Sequence, residues 1–476
     1  MQVKNFGHNL AIRPAAAYTP ASEEEVLQIL DAHQGQQIHA VGRLHSWSEA
    51  AVGDGVLLDL RKLNQVEVQV DGDSFVAVVG AGCQIKRLLR QLDSQASCTL
   101  MSLGLITEQT IAGAISTGTH GSGHHSMSHY VEAVRLARYD PSSGKAIIED
   151  ITSGDELLAS RCSLGSLGII LAVHIRCRRQ YNVQEHFARY RQLSDVLATE
   201  ASSPIQQFYL LPWHWSFSVQ HRREHDGPRS RLAGLYRLYW LLGLDIGLHI
   251  LILLVARILK FRWLIRLFFR HFVPSLLIRN WKVTDRSSTM LVMKHELFRH
   301  IEIELFVQQS QLENALKFSQ EVIELAGGRE STLSKDNQQR IEELGLQDSL
   351  AELHDQYFHH YPICIRRVVA DETLISMASG EGEDWYAVSF ISYVNPADRA
   401  GFYLFSSFMA RSMSRLYGAR PHWGKLCPLN AGELEALYPR FADFRAICNK
   451  LDPQGAFRNR WTETLLRAGS TSEDPR

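Results

Sequence analysis

The chain has 476 residues, more than one ordinary hydrophobic core accommodates, so we expect two domains. Its composition is globular, with 45% hydrophobic and 21% charged residues, and a formal net charge of −1 gives no reason to expect a nucleic-acid partner. The start of the chain lacks the apolar stretch of a signal peptide, and the seven cysteines include no Cys-x-x-Cys pair. We therefore expect reduced thiols and a cytoplasmic protein.

Residues 1–178 alternate helical and strand patterns, which predicts an α+β domain. Apolar residues recur at helical spacing over 23–34, and Ser22 precedes them as a cap. A second helix is predicted at 84–92, and a hairpin is predicted to turn at 141–144. The other apolar or alternating runs predict strands at 56–60, 66–70, 75–82 and 164–177.

The segment 103–123 is rich in glycine and in hydroxyl side chains. Glycine lets the backbone approach a ligand closely, and successive exposed N–H groups form an anion-binding concavity. The segment has neither the Gly-Lys-Ser/Thr end of a P-loop nor the Gly-x-Gly-x-x-Gly pattern of a nucleotide-binding turn. Interleaved apolar residues, such as Ile111 and Ile115, indicate a packed loop and not a flexible one. We therefore expect this segment to lie against a phosphate-bearing ligand.

Residues 179–419 have a different pattern, which predicts an antiparallel sheet with covering helices. Strands are predicted at 300–308, 363–370 and 385–394, and helices at 310–326 and 399–416. Glu302 and Glu304 alternate with apolar residues, so both carboxylates point to one face of their strand. That face is either a substrate-binding surface or an ordinary solvated one.

The segment 231–280 is dense in leucine, isoleucine and aromatic residues. Asp245, His249, Arg257, Lys260 and Arg262 interrupt any clean membrane span. Residues 221–282 include twelve basic and three acidic side chains, although the rest of the chain is acidic.

This composition predicts an amphipathic element that lies in the plane of a membrane surface, with Arg262, Arg266 and Arg270 in one basic row. A buried helical pair or an oligomer interface would also fit the pattern. A nucleic-acid site is disfavoured, because the segment is too apolar and no recognition motif accompanies it.

Residues 420–466 are predicted to return to the first domain, and 467–476 to form a disordered tail. The return segment begins with Arg-Pro-His-Trp-Gly-Lys, residues 420–425. Together with Val-Gly-Arg-Leu-His-Ser-Trp-Ser at 41–48 and the run 103–123, this motif resembles the vanillyl-alcohol-oxidase-type flavoproteins. Within them, the order of the three motifs is similar to that of the aldonolactone oxidoreductase and alditol oxidase branch.

This resemblance implies an α+β fold with a two-subdomain PCMH-type FAD-binding domain at 1–178. It implies an antiparallel-sheet cap domain at 179–419 that closes over the flavin ring. It also implies a covalent bond between His45 and the flavin, with Gly42 and Ser46 beside it. The chain departs from the family at Arg43-Leu44, because members usually have Gly-x-Gly before the histidine. The other cofactor contacts that it implies are Gly104, Thr107, Gly113, Ser116, Thr117, Gly118, Thr119, His120, Gly121, Ser163, Gly165, Gly168 and Ile170.

The resemblance also implies a catalytic set. Lys425 and His422 would lie at the flavin, where a cation stabilises negative charge on the reduced ring. Glu302, Glu304 and Arg366 would orient the substrate. The family motif is incomplete at this strand, because Phe306 and Val307 follow Leu305 where members usually have Tyr-x-x-Pro after Glu-x-Glu.

The expected activity is FAD-dependent oxidation of a sugar-derived alcohol or aldonolactone, without a metal. Its electrons would pass to oxygen or to a membrane acceptor. An enzyme acting on a lipid-linked sugar, and a non-catalytic membrane-associated flavin-fold protein, are the alternatives. The sequence does not fix the oligomeric state. We expect a cytoplasmic protein that is peripherally associated with the membrane through residues 231–280.

Overall fold

The computed structural model describes residues 2–259, 261–293, 298–329 and 333–467. The amino-terminal region contains a three-stranded and a six-stranded sheet, and residues of both join one hydrophobic core. A parallel three-stranded sheet has its longest strands at Ile38–Val41 and Val56–Asp59, beside a short strand at Ala16–Tyr18. A six-stranded antiparallel sheet contains Val66–Asp71, Ser74–Gly80, Cys98–Leu100, Val131–Tyr139, Ala146–Ile151 and Ile169–Arg179.

The second region is built on one eight-stranded sheet, and the strand pairs that the structure records in it are antiparallel. Three neighbouring central strands, Ile301–Gln308, Trp385–Ser392 and Ile363–Val368, carry the face that matters most for the site. The remaining strands are Asn182–Tyr190, Gln207–Leu211, Ser216–Glu224, Val283–Arg286 and Arg420–Pro421. The last of these comes from the carboxyl-terminal segment and pairs with Ile301–Gln308 at the edge of the sheet.

Helices cover both regions. In the first region they are Glu23–Ala32, Ile85–Ala96, Ile111–Ser116 and Gly154–Arg161. In the second region they include Leu193–Ala198, Leu312–Ala326, Lys335–Glu343, Gln347–Leu353 and Ala400–Tyr417. The carboxyl-terminal helices are Ala431–Leu437, Phe441–Leu451 and Arg460–Leu466.

The strongly periodic elements agree with their sequence predictions. The helix predicted at 23–34 is present at Glu23–Ala32, and the Ser22 side chain caps it by accepting a hydrogen bond from the Glu25 N–H. The strands and helices predicted between 300 and 416 are present within a few residues of their predicted ends. Lys335–Glu343 and Gln347–Leu353 were not predicted, because they are short and only weakly apolar.

The segment 231–280 forms two helical stretches, Ala233–Leu259 and Arg262–Leu276, which we call the helical hairpin. Several of its turns are wider than those of an α-helix. Within the described residues, Ala233–Ile258 is long and apolar enough, by length and composition, to cross a membrane, and little of it is buried. Its large side chains therefore form an exposed apolar face, which includes Leu235, Leu238, Leu242, Ile250, Leu254 and Ile258.

Two members of the predicted basic row, Arg262 and Arg266, contact protein acceptors. Arg262 forms an ion pair with Asp355, and Arg266 donates a hydrogen bond to the Gly327 carbonyl at 3.1 Å. Both guanidinium groups turn toward protein acceptors because the cap domain supplies them at short range. The outward positions are left to apolar side chains such as Trp263, which is 64% exposed. Lys260 lies outside the described residues.

The carboxyl-terminal segment contacts the first region. The Ile38 N–H donates to the Ala456 carbonyl at 2.7 Å, and the Asn459 amide donates to three carbonyls between residues 49 and 52. These bonds hold the end of the chain against the sheet that precedes the His45 turn. Residues 468–476, most of the predicted disordered tail, lie outside the described residues.

Candidate active site

A cavity of about 290 Å³ lies between the glycine-rich segment and the central strands of the cap sheet. Two walls of different chemistry line it. Small residues and backbone form the first wall, and charged side chains form the second. Most of the predicted site residues line this cavity: Gly42, His45, Ser46, Gly104, Gly113, Ser116, Thr117, Thr119, His120, Gly165, Gly168, Ile170, Glu302, Glu304, Arg366, His422 and Lys425.

Four predicted cofactor contacts do not line the cavity and have structural surroundings instead. The Thr107 hydroxyl donates to the Met293 carbonyl at 3.2 Å, and Ser163 is buried. Gly118 has φ +70°, a conformation that favours glycine. A Cβ at Gly121 would lie 2.6 Å from the Leu103 carbonyl oxygen. These four residues shape the loops that carry the lining.

The glycine-rich wall is made for close approach of a ligand. Thr110 caps the short helix Ile111–Ser116, and a Cβ at Gly42 would lie 2.3 Å from the Thr110 hydroxyl oxygen. Besides the five predicted glycines, Gly82 and Gly424 line the cavity. Exposed backbone with hydroxyl side chains and little positive charge fits a flavin nucleotide, whose diphosphate can be held by N–H donors alone.

The His45 turn shows how the chain accommodates its departure from the usual Gly-x-Gly. Leu44 has φ +55°, the left-handed conformation that favours glycine, and its carbonyl accepts a hydrogen bond from the Phe6 N–H at 2.8 Å. The His45 ring stacks on Phe6 with centroids 4.9 Å apart. Burial lowers the pKa of His45 to about 4, so the imidazole is neutral near pH 7.

Lys425 and Glu302 form an ion pair on the charged wall. The Ser389 hydroxyl donates to the other carboxylate oxygen of Glu302, and the Lys425 ammonium lies 4.3 Å from the centre of the Trp47 ring. Burial alone would raise the pKa of Glu302, but the charge of Lys425 and the neighbouring His300 lower it overall. Glu302 is therefore an ionised hydrogen-bond acceptor inside the cavity.

The segment that carries Lys425 is fixed by backbone bonds on both sides. The His422 N–H donates to the Glu304 carbonyl at 2.9 Å, and the Leu426 N–H donates to the Glu302 carbonyl at 3.1 Å. The Trp47 N–H, two residues after His45, donates to the Gly424 carbonyl at 2.9 Å. The two distant sequence motifs therefore meet beside the paired glutamates.

Glu304 faces two imidazoles. Its carboxylate oxygen lies 3.6 Å from His120 Nε2, and burial alone would raise its pKa, but the His120 charge lowers that pKa to about 2. Glu304, His120 and His422 are close enough together to hold a metal ion. However, His422 Nδ1 accepts the Gly424 N–H at 2.9 Å, which places the ring proton on Nε2 and leaves no lone pair for a metal. Burial also lowers the pKa of His422 to about 3, so this ring is neutral.

Arg366 is positioned by an amide on the neighbouring strand. Its Nε donates to the Gln207 side-chain oxygen at 3.0 Å, and the Gln207 amide nitrogen donates in turn to Gln220 and to the Tyr209 hydroxyl. Burial alone would lower the pKa of Arg366, but nearby Cys364 and Glu304 raise it overall. The guanidinium is therefore a fixed cation that lines the cavity.

Several lining residues were missed in the sequence. His300 repeats the geometry of His120: its Nε2 lies 3.7 Å from Glu302, and its Nδ1 donates to a backbone carbonyl. The period-2 pattern that indicated Glu302 and Glu304 extends back to His300 and could have found it. Ser389, Tyr361 and Tyr393 come from neighbouring strands and strand ends, and their approach depends on sheet order, which the sequence does not show.

The glycine-rich wall fits a nucleotide, and it faces a lysine, two carboxylates and an arginine. This combination defines an FAD-dependent oxidoreductase that acts on CH–OH groups. Sequence comparison agrees: the FAD binding domain family matches residues 14–140, and the D-arabinono-1,4-lactone oxidase family matches residues 181–465. The chain belongs to the D-arabinono-1,4-lactone oxidase family.

Individual relatives align along nearly the whole chain. A "long-chain alcohol oxidase" from an uncultured marine euryarchaeote is 70% identical over 467 residues, covering 98% of this chain and 97% of the relative. Mouse "L-gulonolactone oxidase" is 25% identical, covering 98% of each chain. Among solved structures, cholesterol oxidase from B. sterolicum superposes with a TM-score of 0.74 at 15% identity, covering 98% of this chain and 96% of that one. This superposition supports the predicted α+β fold with a PCMH-type FAD-binding domain.

Proposed function

We propose that the protein oxidises the terminal hydroxyl group of a long-chain alcohol at a membrane surface. The observation that carries the proposal is the cavity itself, which joins a charged end at Lys425 to an aromatic end under the helical hairpin. The 70% identical relative named as a long-chain alcohol oxidase supports the same substrate class. The exposed apolar face of the hairpin supplies a reason for an apolar substrate to reach the site.

In this proposal, FAD supplies the two-electron acceptor, and the protein side chains orient the alcohol and balance charge. The Lys425 ammonium stabilises negative charge that develops beside it, as an oxyanion hole does. Glu302 accepts a hydrogen bond from the substrate hydroxyl, and Ser389 keeps the carboxylate in place. The depressed pKa of Glu302 makes it a poor proton acceptor near pH 7.

The proton acceptors that the geometry favours are His120 and His300. Each ring has Nδ1 bonded to a backbone carbonyl, so in the neutral form the lone pair is on Nε2. Each Nε2 lies beside a carboxylate, at 3.6 Å from Glu304 for His120 and at 3.7 Å from Glu302 for His300.

A sugar-derived alcohol or aldonolactone is the second candidate substrate. The buried polar set of Glu302, Glu304 and Arg366 favours it, because several hydroxyl groups would satisfy these side chains. A lipid-linked sugar would use both ends of the cavity. A non-catalytic membrane-associated flavin-fold protein would bind FAD without turnover.

Anaerobic reduction of the bound flavin tests these candidates. The purified protein is mixed in detergent with 1-dodecanol, with L-gulono-1,4-lactone or with a polyprenyl glycoside, and flavin absorbance is followed. Rapid bleaching by 1-dodecanol with at least a hundredfold slower reduction by the lactone supports the proposal. The reverse preference supports the sugar oxidase, and no reduction by any of them supports the non-catalytic protein.

We further propose that His45 carries the flavin covalently. Its neutral ring lines the cavity beside glycine-rich backbone, as a nucleophilic imidazole requires. We expect the wild-type protein to give a fluorescent band on a denaturing gel, and His45→Ala to lose that band but to keep non-covalent FAD. Fluorescence retained in His45→Ala would remove the tether from this residue.

We also propose that the protein is cytoplasmic and peripherally bound to a membrane through the helical hairpin. The same hairpin exposes leucines and isoleucines and also the basic residue Arg270. An enzyme at that surface could pass electrons to a membrane acceptor or to oxygen.

A further inference from the structure

We propose that the hydrocarbon chain of the substrate lies along the cap sheet, in a channel between that sheet and the helix Ala233–Ile258. Phe298, Tyr361, Ile391 and Tyr393 form its walls, and we call them the channel residues. The inference rests on the proposed function, because it specifies where an apolar chain extends when its hydroxyl end lies at Lys425.

The first support is a change of polarity along one face of the sheet. Glu304 lies opposite Ser389, and the next position on the same face places Glu302 opposite Ile391. One step further, the His300 and Tyr393 rings are 5.4 Å apart. Two residues of a strand span about 7 Å. Toward Tyr393, the face therefore changes from carboxylates to aromatic rings within two such steps.

The second support is that the apolar end of the cavity belongs to a hydrophobic cluster distinct from the main core. The four channel residues pack in this smaller cluster. The helical hairpin supplies the cluster's other side, through Ile252, Val255, Ile265, Phe269 and Val273. The channel wall and the packing surface of the hairpin are consequently the same surface.

The third support is the orientation of the helix that covers this end. Asp245 and His249, four residues apart and so on one face, both line the cavity. The His249 ring stacks on Phe298 at 5.2 Å, and its Nε2 lies 3.0 Å from the Tyr393 hydroxyl. Leu242, 55% exposed, lies on the outer side. One helix, about 10 Å in diameter, thus separates the cavity from the apolar surface.

The cavity is too small to enclose the whole hydrocarbon chain of a long alcohol. Drug-sized ligands occupy pockets of about 300–1,000 Å³. The present cavity, at about 290 Å³, is bounded by the glycine-rich wall as well as by the cap sheet. A long alcohol therefore extends beyond it, and the wall with an apolar surface behind it is the one formed by the channel residues.

A bulky substitution inside the channel tests the inference. Ile391→Trp would fill the space opposite Glu302, whereas Leu242→Trp places the same side chain on the outer side of the covering helix. The measurement is kcat/KM for 1-hexadecanol divided by that for 1-hexanol, in detergent, with flavin content as the check on folding. We expect at least a tenfold fall of this ratio in Ile391→Trp, mainly through KM, and a change of less than twofold in Leu242→Trp.

A second variant covers the case in which Ile391→Trp does not fold. Ile391→Ala widens the channel. We therefore expect this variant to oxidise alcohols with a branched chain at least tenfold faster than the wild type does. If the wild type oxidises long alcohols and neither ratio moves, the channel is wrong and the proposed function stands. If no alcohol reduces the wild-type flavin, both are wrong.

Discussion

The two segments that bracket the cavity differ in how they are held. The glycine-rich segment 103–123 is packed into the main core, with Ile111, Ala114 and Ile115 fully buried, and it offers mainly backbone to the ligand. The helical hairpin is held by a smaller cluster and exposes most of its outer side chains. The rigid segment suits a cofactor that stays, and the loosely covered one suits a substrate that comes and goes.

Replacing Lys425 should have the largest effect on turnover, because it removes the ammonium group from the charged wall of the cavity. In Lys425→Met we expect kcat to fall about 10²–10³-fold, the usual cost of losing one preorganised stabilising donor. Flavin content should change little, because the glycine-rich wall is intact. Equal losses of kcat and flavin would make Lys425 a structural residue.

The double variant with Glu302→Gln controls for the unpaired carboxylate that Lys425→Met leaves behind. Burying an unpaired charge is costly, so the second substitution should restore stability without restoring turnover. Recovery of turnover in the double variant would show that the ammonium is dispensable and that the unpaired carboxylate causes the loss in Lys425→Met.

Changing the outer face of the hairpin tests the other side of the comparison. We expect replacement of Leu242, Ile250, Leu254 and Ile258 by serine to move the protein from the pellet to the supernatant when it is sedimented with anionic vesicles. Each such side chain contributes about 1.5–3 kcal/mol when it is fully buried in an apolar phase. Val70→Ser, at an equally exposed position of the first region, is the matched control. Unchanged sedimentation of the quadruple variant would contradict membrane binding through this face.

Ser389→Ala should have a moderate effect that sharpens the role of Glu302. The hydroxyl donates to a charged acceptor, and such bonds contribute about 1.5–3 kcal/mol. At the lower bound of this range we expect kcat/KM to fall about tenfold, with the same preference for chain length. A change in chain-length preference instead would place Ser389 in the channel.

His422 should have its clearest effect on the pH dependence of stability, and the smallest of these effects at neutral pH. Its folded-state pKa of about 3 lies below the ordinary 6.5, so the unfolded chain alone takes up a proton as the pH falls from 6.5 toward 3. The folded state loses up to about 1.4 kcal/mol per pH unit in that window. His422→Asn should flatten the free energy of unfolding between pH 6.5 and 5, and an unchanged slope would contradict the assignment.

Local patterns predicted most of the elements and both walls of the site. Glu302 and Glu304 followed from period-2 alternation, and the glycine-rich segment from its composition. The positions of Asp245 and His249 in the cavity lining did not follow from the sequence. A single sequence shows that a helix is amphipathic but not what lies against each face. The acceptors of Arg262 and Arg266 could not be predicted for the same reason, since they are more than 60 residues away in the chain.

Residues 420–466 close the molecule, through the edge strand Arg420–Pro421 and the bonds from Asn459 to the first region. During synthesis, the glycine-rich wall and the cap sheet emerge well before Lys425 and the residues that lock it in place. The charged end of the cavity is therefore assembled only after residues 420–466 have been synthesised. A prematurely terminated copy would lack the ammonium group and the closing contacts together, so incomplete synthesis yields an inactive protein and not a partly active flavoenzyme.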